Sequence, residues 1–118
     1  MGTLLNQTRR SLDPISQLEI DLRDAAGNPT RFPRTTKLIC AGAPQQAKKV
    51  VEEAAELAIE AVRSDRDAAV REAADLVYNL VVLLEGMEIP FEEVCRELAR
   101  RRSEYGIAAK PPKAAAGS

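Results

Sequence analysis

The sequence predicts an all-α protein, a bundle of four to five helices completed by oligomerisation. Three observations carry this expectation. Apolar residues recur at the spacing of one helix face, as in Phe91, Val94, Cys95, Leu98 and Ala99. Two long stretches, 45–63 and 67–85, contain neither Gly nor Pro. No stretch alternates convincingly at the period of two that a half-buried strand requires.

In chain order, residues 1–34 read as an N-terminal lead-in holding a short helix and a loop. Ile15, Leu18, Ile20 and Leu22 mark the helix, with Ser11 or Asp13 as its cap. Gly27, Asn28, Pro29 and Pro33 predict a loop over 24–36. A helical domain occupies 35–104. Its first long helix starts after Gly42 and Pro44 and ends near Arg63; Ser64 to Asp67 form a polar turn. The second long helix spans 67–85 and is ended by Gly86, and Pro90 opens a last helix. Residues 105–118, which finish in KPPKAAAGS, read as a disordered tail.

Composition narrows the chemistry. A chain of 118 residues suits one domain and buries roughly two-thirds of its unfolded surface, so a sizeable site calls for a partner subunit. The sequence holds no His and no Trp. Lack of His removes Ser–His, Cys–His and His–zinc mechanisms together. Cys40 and Cys95 lie 55 positions apart, which is neither a metal-ligand spacing nor a disulfide framework, so they read as reduced thiols. Any chemistry therefore falls to carboxylates.

Charge is unevenly spread. Residues 1–51 carry 8 Lys/Arg against 4 Asp/Glu, residues 52–97 carry 4 against 13, and residues 98–118 carry 5 against 1. This order is poorly suited to a nucleic acid polymer, which needs a continuous positive face. It suits a polyanion met through divalent cations. No apolar run approaches the ~20 residues of a membrane span, and the N-terminus lacks an apolar signal core. The expected location is the cytoplasm, away from membranes.

The acids fall in two stripes. On the first long helix Glu52, Glu53, Glu56 and Glu60 share a sector of about 100°. A solvated face usually interleaves Lys with Glu at i, i+4, whereas Glu52–Glu56 and Glu56–Glu60 are like pairs that repel. The next helix reads AADLVYNLVVLL over 73–84, apolar on every side and so expected at the centre of the bundle. Glu72, Asp75 and Asn79 form its one narrow polar stripe. A carboxylate on such a buried helix needs a compensating charge or metal. In an antiparallel hairpin Glu53-x-x-Glu56 and Glu72-x-x-Asp75 can face one another. Such an oxygen-rich set suits Mg²⁺ or Mn²⁺.

These residues are familiar. KKVVEEAAELAIEAV followed by REAADLVYNLVVLL resembles the phosphoribosyl-ATP pyrophosphohydrolases of histidine biosynthesis, within the all-α, MazG-like nucleotide pyrophosphohydrolase superfamily. The superfamily's Lys-x-x-Glu-Glu-x-x-Glu and Glu-x-x-Asp helices are matched by Lys49, Glu52, Glu53, Glu56, Glu72 and Asp75. Thr35, Lys37 and Leu38 match part of a Ser-aromatic-Thr-x-Lys-Leu loop motif, and the resemblance covers roughly residues 35–102. The family's usual Tyr-His is Tyr78-Asn79 here, its usual Gly before the Glu pair is Val51, and Pro33-Arg34 replace the Ser-aromatic.

The resemblance implies Mg²⁺-dependent hydrolysis of phosphoribosyl-ATP to phosphoribosyl-AMP and pyrophosphate. It implies Glu53, Glu56, Glu72 and Asp75 as metal ligands and Thr35 as a substrate-binding residue. Beside these we expect Glu52 to orient or deprotonate water, Lys49 and Lys37 to meet phosphate, and Asn79 to bond substrate or a metal-bound water. Two alternatives stay open: the same chemistry on canonical or damaged (d)NTPs, and a non-catalytic helical interaction domain. The apolar content of 73–84 further predicts a homo-oligomer, most simply a dimer with acidic sites near its interface.

Overall fold

A computed structural model describes residues 13–106 and Lys113. Five helices run through the described residues, with no strand among them. Helix α1 covers Pro14–Ala26, and Asp13 caps it by accepting from the Ser16 N–H at 2.8 Å. That bond also holds the Asp13 carboxyl below its usual pKa. Helix α2 covers Pro33–Ala41. Gly42, at φ 88°, then breaks the path in a backbone region that favours glycine. Helices α3 (Ala43–Val62) and α4 (Arg66–Gly86) are joined by a short turn, and α5 covers Phe91–Tyr105.

The loop expected over 24–36 is shorter than predicted. Helix α1 persists to Ala26 and α2 begins at Pro33. Proline read as a loop marker is here the first residue of a helix, where its missing N–H costs nothing. The expectations for a loose start before Asp13 and a disordered tail fall almost wholly outside the described residues.

The α3–α4 hairpin is the main packed unit, and α1 lies against α2 and α4. Leu22, Val81 and Val82 form the core, with Ile15, Leu18, Leu38, Ile39, Tyr78 and Phe91 against them. Side chains tie the short helices on. Thr36 Oγ1 donates to the Ala25 carbonyl at 2.6 Å. Gln46 Nε2 donates to the carbonyls of Leu38 and Ile39, each at 3.2 Å. Arg23 pairs with Glu85 at 2.9 Å, and the Phe91 N–H donates to Glu19 Oε2 at 3.0 Å. Beyond Phe91 helix α5 is barely held, and none of its residues is buried. Its predicted apolar face, Leu98 included, lies largely open.

One further expectation needs correction. Helix α4 is not enclosed on every side, because α3 and α1 leave Val70, Ala74, Asp75 and Val77 exposed. On α3 the residues that turn inward are Gln46 and Glu53, both buried. Its small apolar residues Val51, Ala54, Ala58, Ile59, Ala61 and Val62 face outward. Val62 is 86% exposed.

Candidate active site

The site grows from the hairpin seam. A three-residue turn makes α3 and α4 antiparallel, with Asp65 capping α4 through the Ala68 N–H at 3.1 Å. Glu53 and Glu56, one turn apart on α3, then meet Glu72 on α4. Each offers a carboxylate oxygen, and these oxygens lie within 4.8 Å of one another. Repulsion between two such charges ranges from about 1 kcal/mol in water to about 3 kcal/mol at an effective dielectric near 20.

Burial sharpens the point. Glu53 is only 8% exposed, and its Oε2 is buried without a hydrogen-bond partner, as is Oε2 of Glu72. An orphaned buried acceptor costs about 1–3 kcal/mol. Lys49 lies 3.5 Å from the other oxygen of Glu53 and 3.8 Å from Glu52. Lys49 reaches only this one oxygen of Glu53, so both buried Oε2 atoms stay without a partner. A hard divalent cation would satisfy both orphaned oxygens and the repulsion together, so the donor set fits one.

The other predicted residues are more scattered. Glu52 is half-buried beside the cluster, with Lys48 at 3.9 Å as a second partner. Asp75 lies outside the group of converging oxygens and is exposed, contrary to its expected place on a buried helix. The reason is the uncovered side of α4. Asn79 is the buried polar residue of α4, 5% exposed; its Nδ2 donates to the Asp75 carbonyl at 2.8 Å while its Oδ1 is buried and unpartnered. Glu60 is drawn away by Arg63 at 3.8 Å. Lys37 is exposed on α2.

Thr35 does not stand free. Its hydroxyl shares a 2.7 Å hydrogen bond with the Tyr78 hydroxyl, which ties α2 to α4 next to Asn79. Sequence reasoning did not select Tyr78 or the buried Gln46 for these ties. The signal for Tyr78 was its place one turn after Asp75. For Gln46 there was none, since a lone Gln near a helix start is ordinary.

Comparison with known proteins gives the family. The phosphoribosyl-ATP pyrophosphohydrolase family profile matches residues 16–102. A phosphoribosyl-ATP pyrophosphatase of Methylobacterium nodulans is 46% identical over 96 residues, spanning 81% of this chain and 90% of the relative. Phosphoribosyl-ATP pyrophosphatase 2 of Bradyrhizobium diazoefficiens is 50% identical over 82 residues, 70% of this chain and 61% of the relative. The protein of the same name from Rhodopseudomonas palustris is 42% identical over 107 residues, 91% and 79% of the two chains. No solved structure matches. The match takes in both acidic helices as well as α2 and nearly all of α1, and with it the chain belongs to the phosphoribosyl-ATP pyrophosphohydrolase family.

Proposed function

We propose that this chain hydrolyses phosphoribosyl-ATP to phosphoribosyl-AMP and pyrophosphate, a reading supported by relatives named phosphoribosyl-ATP pyrophosphatase. The observation that carries the reading is the convergence of Glu53, Glu56 and Glu72 with two buried, unpartnered oxygens. Glu53, Glu56 and Glu72 would hold the divalent cation, Mg²⁺ or Mn²⁺, with Asp75 as a fourth donor one turn along α4. Bound there, the ion supplies charge neutralisation and polarisation of a phosphoryl oxygen.

The chain's own residues do the rest. Glu52, beside the cluster, accepts the proton of the attacking water. As the water oxygen bonds to phosphorus, the α–β anhydride bond breaks and pyrophosphate leaves. Lys49 and Lys37 meet phosphate oxygens. Asn79 offers its unpartnered Oδ1 to substrate or bound water. Thr35 contributes a second hydrogen bond to substrate, since a hydroxyl already shared with Tyr78 keeps spare capacity.

We further infer a homodimer in the cytoplasm. The outward valines and isoleucine of α3 and α4 form an apolar surface that a second copy would cover. Among the described residues no helix is long and apolar enough to cross a membrane.

The deciding experiment measures pyrophosphate release from phosphoribosyl-ATP and from a panel of (d)NTPs, with and without Mg²⁺. Mg²⁺-dependent release from phosphoribosyl-ATP at the highest kcat/KM supports the reading. A preference for a (d)NTP would transfer the same machinery to another substrate, and no release from any compound would leave a non-catalytic domain.

A further inference from the structure

Glu53 has two oxygens with different surroundings. Oε1 lies 3.5 Å from the Lys49 ammonium, while Oε2 is buried without a partner. Lys49 sits one turn before Glu53 on α3 and reaches Glu52 as well, at 3.8 Å. Its side chain is 37% exposed, so its ammonium has room to move into solvent on a flexible stem. The Lys49 end of both pairs reaches solvent, so the ammonium can leave while the Glu53 carboxylate stays buried. Lys48, at 3.9 Å, would keep Glu52 partnered if Lys49 left.

We propose that Lys49 is a place-holding cation. Without metal its ammonium neutralises Glu53; a divalent cation displaces it, and the freed ammonium turns to the anionic substrate. Loading of the metal and readiness for phosphate are thereby coupled through one side chain. The proposal rests on the metal reading above and adds an exchange to it. A lysine that served phosphate alone would leave metal affinity untouched. A lysine that merely supported the fold would lower stability without tightening metal binding.

The test compares the full-length wild type with Lys49→Met and Lys49→Arg. Mn²⁺ affinity is read from the electron paramagnetic resonance of free Mn²⁺, and melting temperature is recorded with and without the ion. Lys49→Met is expected to bind Mn²⁺ about fivefold more tightly, because a competing like charge is gone. It should melt lower without metal and gain more when Mn²⁺ is added. Its KM for phosphoribosyl-ATP should rise although its metal site fills more easily. Lys49→Arg, which keeps the charge, should stay within about twofold of wild-type Mn²⁺ affinity. Equal or weaker Mn²⁺ binding by Lys49→Met, with the wild type binding normally, overturns the place-holding role. A wild type that binds no Mn²⁺ overturns the metal reading itself.

Discussion

The seam between α3 and α4 and the outer arc of the same two helices invert the usual arrangement. The seam buries Glu53, Gln46 and Asn79; the arc exposes Val51, Ile59, Val62, Val70 and Val77. Buried charge is costly unless compensated, and a broad exposed apolar surface is rare on a lone chain. On the metal and dimer readings proposed above, the seam calls for a cation and the arc for another protein surface. The contrast teaches that an unmet requirement can locate a site as surely as a finished contact.

The largest expected effect lies in the seam. Glu56→Ala should lower kcat/KM for phosphoribosyl-ATP at least about a hundredfold, since it removes a proposed metal ligand. Glu60→Ala, one turn on and turned toward Arg63, should keep most activity. The opposite ranking in a steady-state assay would place the seam's function one turn away. On the arc, Val62→Asp should weaken self-association at least about tenfold. Light scattering at micromolar concentration should then approach the 12.9 kDa of one chain, and a wild type already at that mass would remove the arc from the comparison.

Asp75 sits where seam and arc meet. Asp75→Ala should abolish turnover yet change stability by no more than about 0.5 kcal/mol, because the residue is exposed. A large loss in urea denaturation would show that Asp75 is enclosed in the assembly. The smallest effect concerns α5, which belongs to neither region. Hydrogen bonds from Arg100 and Arg101 hold the Glu97 carboxyl down at about 2, from an ordinary 4.5. Its folded pKa is lowered, so its stabilising contribution is complete above pH 4.5 and is lost as pH falls toward 2. Hydrogen exchange in α5 should rise over that window in the wild type, and a Glu97→Gln chain should show a flatter response.

The acidic seam was legible in the sequence because like charges at i, i+4 depart from what a solvated helix prefers. Glu53, Glu56 and Glu72 could be paired across a hairpin from the short turn between them. The orientation of α3 was not legible. A periodic pattern records which side avoids water without saying whether its own chain or a neighbour covers it. The exposure of Asp75 comes from the same ambiguity on α4. Helix α2 was hidden by Pro33, because a proline can close a loop or open a helix and its local sequence fits both.

Thermal stability with Mg²⁺ tests the central claim most directly, because it reads the seam without reference to any substrate. The wild type should melt several degrees higher with Mg²⁺ well above its dissociation constant, a gain of about 2–3 kcal/mol at a hundredfold excess. Glu72→Gln, which keeps the shape of the side chain and removes its charge, should lose most of that gain. An equal rise in the wild type and in Glu72→Gln would put the metal elsewhere and contradict the account of Glu53, Glu56 and Glu72 as its site.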